Sequence, residues 1–385
     1  MSFSFHSTHA LQIGIGKSAQ IGSIARHLLG SAVLVVTDRG IVELGLHQKA
    51  LASLSAAGIT VTVFAEVEAD PSIATLEKSI ETARACNASS VVGFGGGSSM
   101  DVAKLTALIV GSSEPIDEAW GVGNAKGPRL PLVLVPTTAG TGSEVTPVSI
   151  ITCEGDEKRG VSSPLILPDM AILDAGLTLG LPRHVTAATG IDAMVHAIEA
   201  YTSKSPNNNL MSRMLAGEAL RLLGSHIEAV CKDGSNAVAR ENMLIGATLA
   251  GMAFANSPVA AVHALAYPIG GMFHVPHGLS NALVLKEVMR FNAPVCHQAY
   301  SELAPIIFPD IDQGLSSQTT SAVLIERMGE LSARVGLQTG LRQVGISKDD
   351  LPVMAAAAMK QTRLLVNNPR EVSEADALAI YKAAW

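Results

Sequence analysis

Asp192 and His196 stand four residues apart in Asp192-Ala-Met-Val-His196, within a stretch from Ile191 to Tyr201 of helix-forming composition that contains no Gly or Pro. That spacing puts a carboxylate and an imidazole on one helical face, where both can reach the same ion. Further on, the segment from His263 through His274 to His277 and Gly278 carries more imidazoles, which the fold would have to bring in. Three imidazoles drawn from this set and one carboxylate suit a borderline divalent ion such as Zn²⁺ or Fe²⁺ better than Ca²⁺ or Mg²⁺. An Asp–His pair at this spacing is also common as a solvated helix pair, and a histidine in an apolar segment is usually hydrogen-bonded core. The surroundings favour a metal. Between Glu241 and Lys286 there is no Asp, Glu, Lys or Arg, so the histidines are the strongly polar ionisable groups of a region expected to be buried. Buried imidazoles need partners, and a shared ion supplies them.

A second stretch fits an anion. Gly95-Gly96-Gly97-Ser98-Ser99-Met100-Asp101 follows an apolar β-branched run, Ser90-Val-Val-Gly-Phe94, and precedes a helical segment that begins Val102-Ala-Lys-Leu. Glycines let backbone N–H groups approach a ligand closely, and a helix N-terminus favours a phosphate or pyrophosphate. The competing reading is a tight strand-to-helix turn capped by Ser99 or Asp101, but three consecutive glycines exceed what a turn requires. Gly14-Ile-Gly16-Lys17-Ser18 ends like a P-loop, yet Leu11 stands where its first glycine belongs; it reads as a loop near the dinucleotide. The GxGxxG fingerprint is missing, because the triple glycine follows the third strand rather than the first. Asp38 ends the first strong strand, where an acid can accept from a ribose 2′-hydroxyl and repel a 2′-phosphate, although an Asp there is also an ordinary turn former. Pro136 to Glu144 leaves another strand with Thr137, Thr138 and further hydroxyl and small residues, and decides nothing alone.

These groups need a scaffold. Ala32–Asp38, Thr60–Phe64, Ser90–Phe94 and Leu132–Val135 read as strands, with helical segments around Leu46 to Leu54 and over Ser72 to Cys86 between them. Strand and helix alternating at this spacing predict a parallel α/β sheet. After the Leu181-Pro182 region, long Ala/Leu/Met-rich segments predict helices only. The expected fold is therefore an α/β N-terminal dinucleotide-binding domain over residues 1–182 and an all-helical C-terminal metal-binding and substrate domain over residues 183–385. The cleft between two such domains is the default place for a ligand.

Composition narrows the function. The 385 residues are 48% hydrophobic and 16% charged, which allows a large core and excludes global disorder. A net charge of −7 without basic runs argues against a nucleic-acid or anionic-membrane binder. Cys86, Cys153, Cys231 and Cys296 are scattered without CxxC spacing, which fits a reducing cytoplasm. The start lacks the pattern of a signal peptide, and polar and Pro residues interrupt the charge-free stretch after Glu241.

Taken together, Gly95-Gly-Gly-Ser-Ser-Met-Asp-Val-Ala-Lys104, Pro136-Thr-Thr-Ala-Gly-Thr-Gly-Ser-Glu144, Asp192-Ala-Met-Val-His-Ala-Ile-Glu-Ala-Tyr201 and His263 through Gly278 resemble the iron-containing (group III) alcohol dehydrogenase family over nearly the whole chain. The resemblance implies the dehydroquinate synthase-like architecture, with a metal between the two domains. It implies Asp192, His196, His263 and His277 as ligands of Fe²⁺ first and Zn²⁺ second. It places Gly96, Gly97 and Ser98 at the pyrophosphate, with Gly95, Asp101, Thr137, Thr138 and Lys158 also at the coenzyme. Asp38 matches the position associated with NAD rather than NADP, and Asp70, where many members carry Asn, adds to that preference. Tyr267 replaces a histidine found in many members near the nicotinamide; Tyr267 and His274 are the candidates for proton relay, and Phe254 is a candidate pocket wall.

The function expected is reversible hydride transfer between a primary alcohol or diol and NAD, in a homodimer or larger homo-oligomer whose partners are small molecules. A polyol dehydrogenase or sugar-phosphate cyclase of the same superfold is the nearest alternative. A metal-dependent hydrolase, for which the glycine loop would be irrelevant, and a non-enzymatic metal-binding protein follow.

Overall fold

A computed structural model describes residues 2–153 and 157–385. Among the described residues the N-terminal half contains nine strands: β1 (Ala10–Ile13), β2 (Ala32–Asp38), β3 (Thr60–Val67), β4 (Ser90–Gly95), β5 (Gly121–Val122), β6 (Leu132–Pro136), β7 (Val148–Thr152), β8 (Lys158–Ser162) and β9 (Met170–Leu173). Six form one parallel sheet in the order β1-β9-β6-β4-β2-β3, and β5-β8-β7 form a smaller one. The β-branched run of β2 suits its place inside the sheet, between β4 and β3. Leu34 and Val36 belong to one apolar cluster and Val33 and Val35 to another, so both faces of the strand are covered.

Adjacency matters more than strand count. β6, β4 and β2 are neighbours and parallel, so their carboxyl ends lie side by side. Asp38, Gly95 and Pro136 end these strands, and ligands of open parallel sheets bind at such ends. The Gly97–Ser112 helix packs directly behind the glycine run. Gly93 permits this: a Cβ there would come within 2.6 Å of Leu134 and 2.8 Å of Ala103.

The second half is helical. Its principal helices are Arg183–Thr202, Leu210–Lys232, Ala237–Asn256, Ala261–Phe273, His277–Ile307 and Ser317–Arg334. The charge-free stretch runs through most of Ala237–Asn256, all of Ala261–Phe273 and the first turns of His277–Ile307, and the first two of these helices bend 108° apart. Among the described residues, no single helix is long and apolar enough to cross a membrane.

The chain divides into two compact units, one of residues His6–Thr138 and Gly142–Leu179, the other of Gly180–Trp385 with Ala139–Thr141 and the segment up to Phe5. The helical unit thus starts three residues before the border expected at 182/183, and it also takes in two short pieces from the first half. Gly140 gives a physical reason for one of them: a Cβ there would lie 2.7 Å from Thr189 Cβ, on the Arg183–Thr202 helix.

Candidate metal centre and coenzyme loop

Three helices bring four donors together. Asp192 and His196 share a face of Arg183–Thr202, His263 lies in the first turn of Ala261–Phe273, and His277 opens His277–Ile307. One ligand atom from each lies within 4.8 Å of the others. Asp192 Oδ1 is 4.0 Å from His263 Nε2 and 3.8 Å from His277 Nε2. Gly278 allows this approach, since a Cβ there would meet the Ala188 carbonyl oxygen at 2.4 Å. Asp192, His196 and His263 are buried, whereas the His277 side chain is 40% exposed. One side of the cluster is therefore open to a ligand.

The electrostatics suit a cation. Burial works to raise the Asp192 carboxyl, but His196, His277, His263 and the Asn281 amide together hold it below the usual carboxylate range. Burial pushes the His196 imidazole down to about 3 against the pull of Asp192, with His263 and His277 adding to the depression. The result is an ionised carboxylate among imidazoles of which at least His196 is neutral, the protonation state that metal ligation needs.

Two residues at this centre were not singled out in the sequence. Glu199 follows His196 by three positions and is buried; its Oε2 accepts from His263 Nδ1 at 2.7 Å and its Oε1 from the Val262 N–H at 2.6 Å. A carboxylate facing Nδ1 assigns the proton there and leaves the Nε2 lone pair aimed at the cluster. Asn281 follows His277 by four. Its Nδ2 donates to Asp192 Oδ1 at 2.6 Å and lies 3.3 Å from both His263 Nε2 and His277 Nε2, while its Oδ1 is buried without a hydrogen-bond partner. Three acceptors converge on one amide nitrogen, a crowding of lone pairs that a divalent ion would relieve. The donor set fits such an ion.

Glu199→Gln should weaken Zn²⁺ or Fe²⁺ binding about 10- to 100-fold, because an amide no longer fixes the His263 tautomer. Competition with a chelator of known affinity reads this directly, and unchanged affinity would remove Glu199 from the site.

The remaining candidates of the helical half differ in place. Phe254 is half-buried and stacks on His196, with ring centroids 4.4 Å apart and planes at 23°. The Tyr267 ring is 6.1 Å from that of His277, and its hydroxyl accepts from Arg363 at 3.2 Å. His274 is exposed and caps the Ala261–Phe273 helix in the left-handed region, φ 54°.

In the α/β unit, the Gly97–Ser112 helix starts inside the glycine run, earlier than the Val102 segment read from sequence. Its N-cap is Gly96, without a side-chain cap, so neither Ser99 nor Asp101 plays that part. Gly96, Gly97 and Ser98 are partly exposed, while Ser99 is buried and donates to Asp38 Oδ2 at 3.4 Å. Gly95 has φ 157°, and a Cβ there would meet Ser99 Oγ at 2.6 Å. Asp38 also accepts from the Ile41 N–H at 3.0 Å, which makes it the N-cap of the short Arg39–Glu43 helix. Thr138 stands opposite Gly96, and the Thr137 N–H donates to the Gly95 carbonyl at 3.0 Å.

Asp101 and Lys158 already hold partners. Asp101 accepts from Ser143 Oγ at 2.7 Å and from the Ile150 N–H at 2.9 Å, which clasps the glycine-loop helix to β7. Burial raises its carboxyl, with Lys104, Ser143, Ile150 and Lys158 pulling the other way. Lys158 pairs with Asp70. The P-loop-like turn is also occupied from within: Asp174 accepts from the Gly16 and Ser18 N–H groups and from Ser18 Oγ at 2.6 Å. A protein carboxylate stands where a P-loop would hold phosphate.

Residues 9–175 match the family model described as iron-containing alcohol dehydrogenase, and residues 186–385 match the Fe-containing alcohol dehydrogenase family, C-terminal. The chain belongs to the iron-containing alcohol dehydrogenase family. Its relatives in the family include the long-chain-alcohol dehydrogenase 1 of Geobacillus thermodenitrificans, 38% identical over 376 residues that cover 97% of this chain and 94% of the relative. Among solved structures, a 1,3-propanediol oxidoreductase matches with a TM-score of 0.96 at 33% identity, both chains covered in full. The sulfoacetaldehyde reductase of Bifidobacterium kashiwanohense, solved in complex with NAD⁺, matches with a TM-score of 0.88 at 28% identity, over 100% of this chain and 99% of that one. The parallel sheet and the helical half are thus the architecture of this family.

Proposed function

We propose that this chain oxidises a primary alcohol or diol to the aldehyde with NAD, and runs the reverse reduction with NADH, using a divalent ion held by Asp192, His196, His263 and His277. The observation that carries the reading is the convergence of these four donors in a chain of the iron-containing alcohol dehydrogenase family. Fe²⁺ is the first choice for the ion and Zn²⁺ the second. Such an ion supplies Lewis acidity, which eases loss of the alcohol proton and polarises the carbonyl in reverse.

The protein's own groups do the rest. Glu199 holds the His263 ring with its Nε2 lone pair turned inward, and Phe254 stacks on His196 as a wall that limits ring movement and water. Tyr267, beside His277, and His274 are the groups proposed to pass the alcohol proton outward. The uncapped N–H groups of Gly97 and Ser98, with Gly95 and Gly96 keeping the loop slim, bind the pyrophosphate. Thr137, Thr138, Asp101 and Lys158 shape that loop, and the Asp38 carboxylate accepts from the adenosine ribose and repels a 2′-phosphate. A homodimer or larger homo-oligomer working in the cytoplasm on small molecules completes the reading. The three relatives are named for a long-chain alcohol, a neutral diol and an anionic aldehyde, so family membership leaves the charge of the substrate open.

NADH formation by anaerobically purified protein, stripped of metal and then reloaded with Fe²⁺ or with Zn²⁺, tests this. Turnover of small primary alcohols or diols should return only with the metal. Absence of turnover in protein shown to bind both metal and NADH would overturn it and favour the cyclase alternative.

A further inference from the structure

Arg363 is separated from the candidate metal centre by the Tyr267 ring, and among the described residues no acid pairs with it. Its side chain is exposed, and its Nη2 donates to the Tyr267 hydroxyl at 3.2 Å. Tyr267 follows His263 by four positions, on the same face of the Ala261–Phe273 helix. The Tyr267 ring links the two regions: its centroid lies 6.1 Å from that of His277 and 6.0 Å from Arg363 Cζ.

The backbone that carries Arg363 is fixed. Asn367 Nδ2 donates to the Arg363 carbonyl at 3.0 Å and to the Val259 carbonyl at 3.2 Å, just before the helix that bears His263. Asn368 exchanges hydrogen bonds with Asn292 in the core. The guanidinium thus springs from a fixed stretch of backbone, and the segment 242–285, which carries Tyr267, contains no Asp, Glu, Lys or Arg.

We infer that Arg363 and Tyr267 receive a negatively charged group on the substrate, so that the preferred substrates are short aldehydes with a carboxylate or sulfonate at the end remote from the carbonyl, together with the corresponding hydroxy acids. This rests on the hydride-transfer reading. A guanidinium is a rigid, weakly hydrated fork that matches either oxyanion through paired N–H donors. The Tyr267 hydroxyl accepts a hydrogen bond from the guanidinium and keeps its own O–H to donate to the same anion, so that with such a substrate the proton relay proposed for Tyr267 and His274 falls to His274. A substrate with its carbonyl at the four donors and its charged end at Arg363 runs past the tyrosine ring.

The test uses metal-loaded enzyme and NADH with aldehydes matched in length: succinic semialdehyde against butanal for the carboxylate, sulfoacetaldehyde against propanal for the sulfonate. The wild type should favour one anionic member of these pairs, and Arg363→Ala should lower the anionic-to-neutral ratio of kcat/KM about 10- to 100-fold, the value of a charge-assisted hydrogen bond. Arg363→Lys should restore part of the ratio, and Arg363→Glu should push it below that of the Ala variant. Reduction of aldehydes with a ratio that Arg363→Ala leaves within twofold overturns the anion site and spares the hydride-transfer reading. If no aldehyde of either charge is reduced, that reading falls, and calorimetry decides the anion site alone. Binding of 4-hydroxybutyrate or 2-hydroxyethanesulfonate that the Ala variant loses supports it; binding that is absent or equal in both proteins overturns it.

Discussion

His263→Ala should abolish stable metal binding and lower the kcat of alcohol oxidation by on the order of a thousandfold, since Lewis-acid stabilisation is worth several kcal/mol and each 1.36 kcal/mol is a factor of ten. His263 is singled out because it is held from both sides. Its Nε2 faces Asp192 and Asn281 while its Nδ1 is bonded to Glu199 at 2.7 Å. Removal of the ring therefore takes a donor from the cluster and leaves the buried Glu199 carboxylate, among the described residues, with the Val262 N–H as its remaining hydrogen-bond partner. The second loss should cost about 1–3 kcal/mol of folding stability even without metal. His277→Ala should impair metal binding too, but with less effect on the metal-free protein, because that side chain is 40% exposed. Metal content by elemental analysis, kcat, and denaturant unfolding of the stripped proteins separate these effects. A His263→Ala protein that keeps a full complement of metal and a kcat within tenfold of wild type would dismiss the assigned centre.

The different weights of these residues also explain what the sequence could disclose. Asp192 and His196 are legible as a pair because helical spacing alone puts them on one face. His263 and His277 come from other helices, and no spacing rule connects them to the pair; resemblance to a family supplied the link. Glu199 and Asn281 carried a usable signal, being three and four positions after His196 and His277, but side chains that act through a ligand are hard to tell from solvated helix residues until the partner is known.

The fold shows the same division. β2, β4 and β6 are β-branched runs at the centre of the sheet, and their composition announces them. β1 and β9 have four residues each, and β9 reads Met-Ala-Ile-Leu, a helix-like composition that only pairing with β6 and β1 turns into a strand. β8, Lys-Arg-Gly-Val-Ser, is a partly exposed strand of the small sheet with weak propensity of its own. The glycine run was legible as a loop but not as a helix start. With no side-chain cap to mark it, the first turn is set by packing against β4 rather than by a local signal.

Lys104→Met should destabilise the α/β unit by on the order of 3–5 kcal/mol, the cost of removing one member of a buried ion pair. Lys104 is fully buried in the Gly97–Ser112 helix, and its Nζ donates to Ser143 Oγ and the Val148 carbonyl, each at 2.8 Å, and to Thr146 Oγ1 at 3.3 Å. Asp101 Oδ1 lies 3.9 Å away. Methionine fills similar volume, so the deficit would come from the lost bonds of Nζ and from an Asp101 carboxylate deprived of the Lys104 charge rather than from a cavity. The pH dependence identifies the lysine. Burial pushes Lys104 from 10.5 down to about 8, with Asp101 and Glu144 opposing. Below about pH 8 both the folded and the unfolded chain hold the proton, whereas between about 8 and 10.5 only the unfolded chain does. Unfolding then takes up a proton, and wild-type stability gains with pH across that window relative to a chain without the lysine. The deficit of Lys104→Met should therefore widen from pH 8 to pH 10.5. Denaturant unfolding of both proteins at several pH values measures it, and a deficit below about 1 kcal/mol, or one that narrows over this window, would mean that the network does not hold the glycine-loop helix in place.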